Sequence, residues 1–302
     1  MAAGPVHLAD WAASIIATTA ALLLVALAYV RAWWLLRRKM PGHVLPWRLG
    51  SFLAGIGVLW LAWNPRLSAL THLLLIAHMV QHLLFMLFAP PLLLLGSPLF
   101  VFARGLDLQF RSPADPGVAL RQSWARRVAS GLTHPVAAGI IMVAVTIAWH
   151  TPGIFALAMD SPAMHEIENL AFFGSGLLFW WPVILPWPAR RQWPGWTIPI
   201  YLLGSDMPVS VLTAYLAFCG HVVYPQYLSA PRTFGISPLE DQIAAAMLMW
   251  VAMLVVFLAA AAIIVVQLLE PARLASSAQS QSVASTSREA GQTSSNRSAP
   301  SS

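Results

Sequence analysis

Seven runs of apolar residues constrain this chain more than anything else in it. They extend over roughly Trp11–Leu36, Trp47–Trp63, Ser68–Pro90, Thr133–Trp149, His165–Trp187, Trp196–Val223 and Asp241–Leu269. Each approaches or exceeds the ~20 residues that a helix rising ~1.5 Å per residue needs to cross a hydrocarbon core of ~30 Å. In lipid the backbone must satisfy its own hydrogen bonds, and the runs lack the alternation of barrel strands, so helix is the expected state. Composition agrees, with 58% hydrophobic and 9% charged residues, where a soluble domain has about 45–50% and about 25%. The sequence predicts an all-α, polytopic membrane protein with seven transmembrane helices in residues 1–271. The Ser- and Gln-rich stretch 272–302 has almost no large apolar residues to offset ordering entropy, and is expected to be a disordered tail.

Charge placement gives the orientation. Of the 17 Lys and Arg residues, all but Arg66 and Arg232 fall in alternate loops or the tail. They include Arg31, Arg37, Arg38, Lys39 and Arg48, then Arg104, Arg111, Arg121, Arg126 and Arg127, then Arg190 and Arg191, and finally Arg273, Arg288 and Arg297. Such a bias puts the N-terminus outside and the C-terminus in the cytoplasm. The same placement explains the net charge of +6 without a nucleic-acid partner, since no soluble face interleaves basic and aromatic residues. Met1–Asp10 carries no Lys or Arg and the first run is long, with its basic cluster behind it, so the run reads as a span and not a cleaved signal. One cysteine, Cys219, excludes an internal disulfide framework and a thiolate metal cage. From Leu67 to Ala103 the chain is apolar over 37 residues, interrupted by Pro90-Pro91 and Gly96-Ser97-Pro98. One span breaking at Pro90-Pro91 before a short interfacial or re-entrant piece fits that length; a span overshooting into the cytoplasmic interface fits it equally.

Polar residues inside a membrane are costly, and mark where chemistry is to be sought. His78 and His82 stand at i and i+4, adjacent on one helical face and, counted from Ser68, about 15–20 Å into the third run. Met86 continues the stripe. Two imidazoles with a thioether nearby suit copper, particularly Cu(I), better than magnesium or calcium; alternatively both histidines only hydrogen-bond to neighbouring helices. His150 ends the fourth run, and His165 and Glu168 share a face at the start of the fifth. With Asp160 they form an outward-facing acidic and histidine-rich rim able to receive a cation, although acids near helix N-termini also complement the helix dipole. Asp206 lies about 15 Å into the sixth run beside Pro208, as a relay, a histidine partner or a cap on freed amides. Ser237 and Glu240 form a capping box with Pro238 at the first helical position, which leaves Asp241 and Gln242 open to function. The candidate metal residues are therefore His78, His82, His150, His165, Glu168, Asp206 and Asp241. No catalytic motif emerges, and the chain is not expected to be an enzyme.

His78-Met79-Val80-Gln81-His82-Leu83-Leu84, followed by Ala89-Pro90-Pro91-Leu92-Leu93 and Gly96-Ser97-Pro98, resembles the signature of the CtaG-type cytochrome c oxidase assembly factors. These are seven-span membrane proteins associated with caa-type oxidases. Trp149-His150-Thr151-Pro152, Leu178-Phe179-Trp180-Trp181-Pro182, Tyr224-Pro225-Gln226-Tyr227 and Ser237-Pro238-Leu239-Glu240-Asp241-Gln242 with Met249-Trp250-Val251 are similar to further motifs of that family. The likeness runs from about Trp47 to Leu269. It implies a non-enzymatic factor in the bacterial plasma membrane that matures a haem-copper oxidase by supplying or placing copper. Its partners would be oxidase subunits, a copper-donating protein on the outer side, and membrane lipid. The family's motif histidines map to His78, His82 and His150, with Asp241 and Gln242 in the last motif. Where the family tends to continue Met-Trp-Val with Pro-Gly this chain has Ala252-Met253, which removes the residues that would kink the seventh helix. Two other classes compete: a membrane electron carrier holding haem between histidines of two helices, and a metal-free scaffold for oxidase subunits.

Overall fold

Prolines set where most of the helices begin. Pro46, Pro65, Pro135, Pro152 and Pro162 each stand in the first turn of a helix, where the missing N–H costs nothing and the fixed φ suits the helix. The computed structural model describes residues 6–40, 44–105, 124–186, 193–232 and 235–296. Its order is α1 (Val6–Lys39), α2 (Pro46–Ala62), α3 (Pro65–Thr71), α4 (Leu75–Leu83), a π-helical turn (Leu84–Phe88), α5 (Ala89–Leu95) and α6 (Pro98–Gly105). Then follow α7 (Trp124–Leu132), α8 (Pro135–Trp149), α9 (Pro152–Asp160), α10 (Pro162–Ile184), α11 (Thr197–Phe218), a 3-10 turn (Pro225–Leu228) and α12 (Pro238–Asn296). His43, Arg111, Arg121, Trp187, Arg190, Arg191 and Arg297 lie outside the described residues, so part of the charge pattern does too.

The protein is a polytopic helical membrane protein. Among the described residues, five stretches are long and apolar enough to cross a bilayer: Ile15–Lys39, Leu75–Gly105, Pro162–Ile184, Thr197–Phe218 and Pro238–Leu269. α8 and α9 pass the same test as a pair, bent by 73°, and α2 is a shorter apolar helix of 17 residues. The outward faces are apolar, as lipid requires: Met207, Val211 and Phe218 of α11 are 69%, 71% and 74% exposed. The polar residues turn inward. His78, Gln81, Glu168 and Thr146 are fully buried, and Asn169 and Gln242 nearly so.

The third run departs from expectation at both ends. Its helix starts at Leu75, because Asn64 caps α3 by accepting from the Arg66 amide and the chain turns again at His72–Leu74. His78 and His82 thus lie one and two turns from the start of their own helix, shallower than a span counted from Ser68 would put them. Nor does the chain break at Pro90-Pro91. Pro90 leaves the Met86 carbonyl without an i+4 amide, and the chain meets this by widening to a π-helical turn over Leu84–Phe88, so the two prolines open α5. The break comes at Gly96-Ser97, where Ser97 takes a φ of 50°. There the Tyr29 hydroxyl donates to Gly96 O (2.7 Å), and a Cβ on Gly96 would meet Phe52 Cβ at 2.7 Å.

α11 and α12 pack along each other, α10 lies against α8, α5 and the π turn, and α2 lies against α5. At the head of α12 the capping box is reciprocal: the Ser237 amide donates to Glu240 Oε2 (2.8 Å) and the Glu240 amide to Ser237 Oγ (3.3 Å). The helix carries on to Asn296, through the Ser- and Gln-rich stretch, in which no proline stands between Pro271 and Pro300.

Candidate metal centre

α4 and α10 bring one buried cluster together. The i, i+4 spacing sets the rings of His78 and His82 against each other, with centroids 4.2 Å apart and planes at 88°. Glu168 of α10 faces them, its Oε1 lying 3.5 Å from His78 Nε2 and 3.2 Å from His82 Nε2. One ligand atom from each of the three falls within 4.8 Å of the others. These contacts lack hydrogen-bond alignment: both nitrogens of His78, Nδ1 of His82 and both oxygens of Glu168 are buried without a hydrogen-bond partner. A buried carboxylate with two unspent oxygens is costly unless positive charge sits beside it. Two nitrogens and an oxygen converging on one point form a donor set that a transition-metal ion fits.

Other side chains hold the cluster in place. Asp241, from the first turn of α12, accepts hydrogen bonds from the Leu75 (2.6 Å) and Ile76 (3.1 Å) amides. It caps in trans the helix that carries both histidines, whose own N-cap, Leu74, has no side-chain acceptor. Gln81 shares the face of His78 and His82. Its Nε2 donates to Ala62 O (2.8 Å) and Ser68 Oγ (3.1 Å), which turns its Oε1 toward His165 Nε2 (3.2 Å). His165 thereby donates to Gln81 while its ring stacks on His78, with centroids 5.4 Å apart at 11°. Gln242 ties down the connection between α11 and α12: its Oε1 accepts from the Val223 amide, and its Nε2 donates to the Leu216 and His221 carbonyls. That connection covers the cluster. Tyr224 donates to His150 O (3.0 Å) and packs on Phe155, whose ring lies 5.0 Å from that of His78. Tyr227 donates to Thr71 O (2.7 Å). Burial holds both tyrosine hydroxyls well above their ordinary pKa, so they remain donors.

Of the residues singled out by sequence, the structure brings His78, His82 and Glu168 together and sets His165 and His150 around them. The ring of His150 is 6.5 Å from that of His82. His150, His165 and Glu168 do not form an open rim, since all three are buried; Asp160 and Glu166 are exposed, the latter accepting from Trp63 Nε1 (3.1 Å). Asp206 stands apart on α11, accepting from Ser210 Oγ one turn on (3.0 Å), and Pro208 does not interrupt the helix. Asp241 serves backbone amides. Met86 Sδ lies 3.7 Å from Thr146 Oγ1, whose hydrogen goes to the Met142 carbonyl (2.9 Å). Sequence reasoning missed Gln81, although it completes an i, i+3, i+4 polar face with the two histidines. It also missed Phe155 and Phe172, the latter 4.1 Å from the His82 ring, for which no sequence signal exists.

Over residues 27–270 the chain matches the profile of a family described as cytochrome c oxidase caa3 assembly factor (Caa3_CtaG). Uncharacterized proteins of Mycobacterium bovis and Mycobacterium tuberculosis are each 31% identical to it over 195 residues, 63% of this chain and 28% of theirs. An uncharacterized protein of Mycobacterium leprae is 29% identical over 199 residues, 65% of this chain and 29% of its own. The chain thus spans less than a third of the length of these curated relatives. No solved structure matches it.

Proposed function

This chain belongs to the cytochrome c oxidase caa3 assembly factor family, and from that membership we propose that it matures a haem-copper oxidase by holding copper at His78, His82 and Glu168. The observation that carries this reading is the convergence of three buried donors, with both nitrogens of His78 and both oxygens of Glu168 lacking a hydrogen-bond partner. Bound copper would supply the cargo for an oxidase centre. The chain's own part is to bind and orient: α4 presents both imidazoles, α10 the carboxylate, Asp241 and Gln81 fix the helix, and Tyr224 and Phe155 keep water out.

In this reading α2 and the bent α8–α9 pair join the five long helices as a seven-span domain over residues 1–271, with the N-terminus outside and residues 272–302 as a cytoplasmic tail. The domain sits in a bacterial plasma membrane, and the metal centre lies toward the outer side. Copper arrives there from an outer-side donor protein, oxidase subunits are the acceptors, and lipid covers the apolar faces. The role is non-catalytic. Haem is the poorer fit, because His78 and His165 stack face to face and His78 and His82 share one helix, so neither pair flanks a macrocycle.

The test is oxidase maturation in cells carrying His78→Ala/His82→Ala. Loss of oxidase activity together with loss of the copper held at the His/Glu centre is expected. A fully active oxidase with unchanged copper content would overturn the proposal, and loss of oxidase with no metal on the wild-type protein would favour a scaffold.

A further inference from the structure

Beside the His/Glu cluster two acceptors face each other without a proton to share. His150 caps the C-terminus of α8, and its Nδ1 lies 2.7 Å from Thr146 O. A carbonyl only accepts, so Nδ1 carries the hydrogen and Nε2 of the neutral ring is a lone pair. That Nε2 points at Met79 Sδ, 3.4 Å away. A thioether sulfur has no hydrogen to give. Both side chains are buried, His150 at 4% and Met79 at 2% exposure. A lone pair set against a lone pair in a buried interior lacks a cation between them.

We infer that Met79 and His150 form a second, soft metal site, selective for a monovalent d10 ion such as Cu(I). Imidazole with thioether favours Cu(I), whereas imidazole with carboxylate suits harder divalent ions as well. The 3.4 Å separation is shorter than the sum of metal–nitrogen and metal–sulfur bonds of about 2.0 and about 2.3 Å, so both atoms reach one ion. Met79 lies next to His78 in sequence but points elsewhere, since consecutive helical residues do not share a face. His78 faces Glu168 on α10, and Met79 faces the end of α8. Surrounding groups fix the pair. The Thr146 carbonyl orients the imidazole, Tyr224 holds the His150 carbonyl, and Phe172 stands edge-on to the ring at 6.3 Å. Two sites of different softness, one ring away from each other, let the chain accept Cu(I) while rejecting Zn(II) at the thioether. The inference takes only the identity of the ion from the copper reading; the opposed lone pairs stand without it.

The experiment is an anaerobic Cu(I) titration of the detergent-solubilised protein against a chromophoric chelator, with X-ray absorption at the copper edge. Wild-type protein is expected to show a sulfur neighbour. Met79→Leu should lose that neighbour and weaken Cu(I) binding by about 10–100-fold, with Zn(II) binding at His78, His82 and Glu168 unchanged. Should Met79→Leu fold poorly, wild-type protein grown with selenomethionine should show a selenium neighbour instead. Copper bound only by nitrogen and oxygen in the wild type, or Cu(I) affinity unaltered in Met79→Leu, would overturn the site. His78→Ala/His82→Ala separates the two readings: copper on sulfur that survives in it keeps the soft site even if the His/Glu centre fails.

Discussion

At the scale of single residues, Glu168 is the group whose burial is hardest to explain without a cation. Both its oxygens are unspent, and two imidazoles stand within 3.5 Å. Glu168→Gln keeps the shape and removes the charge. It should weaken copper binding by about 10–100-fold while leaving the metal-free protein at least as resistant to thermal unfolding, since a buried carboxylate whose oxygens find no hydrogen bond is removed. Calorimetry with and without copper measures both effects; a less stable metal-free variant would mean that Glu168 serves packing. The two histidines were legible in sequence because i, i+4 spacing on one helix is a local property. The partner of Glu168 was not. Its i, i+3 spacing to His165 reads as a local pair, yet His165 spends Nε2 on Gln81 and Glu168 turns to α4. A contact between residues so far apart in the chain leaves no trace in one sequence.

At the scale of elements, the position of α4 is decided from outside it. Asp241 caps it from α12, so Asp241→Ala would strand the Leu75 and Ile76 amides. A loss of about 1–2 kcal/mol in unfolding free energy is expected, with weaker copper binding because the histidines lie within the next two turns. The π turn is the other control. Gly176 of α10 lies so close to it that an added Cβ would sit 2.6 Å from Met86 O and 2.9 Å from Pro90 Cγ. Gly176→Ala should push α10 off the turn, cost about 1–3 kcal/mol and carry Glu168 away from His78; denaturant titration and copper affinity report the two effects. The apolar runs revealed which segments are helical, because hydropathy is averaged over a whole span. They did not reveal that the helix passes Pro90-Pro91, because whether a proline pair breaks a helix depends on whether the turn before it can widen, as Leu84–Phe88 does.

For the whole molecule, the charge pattern makes a prediction about sidedness. In a Cys219→Ser background, Ser229→Cys, on the exposed connection between α11 and α12, should react with a membrane-impermeant thiol reagent in intact cells. Ser130→Cys, exposed at the end of α7, should react only after lysis. The reverse pattern would invert the topology and put the centre on the cytoplasmic side. The fold class was plain from the sequence because lipid permits so few backbone states. The centre was only half visible, since its histidines lie on one helix while its carboxylate, its caps and its cover come from three others. In the proposed reading the bundle closes around copper at His78, His82 and Glu168. The most direct measurement is copper per polypeptide in the purified protein after equilibration with limiting copper, beside His78→Ala/His82→Ala. Tightly held metal in the wild type, and none at these residues in the variant, is the predicted result; equal copper in both, or none in either, would contradict it.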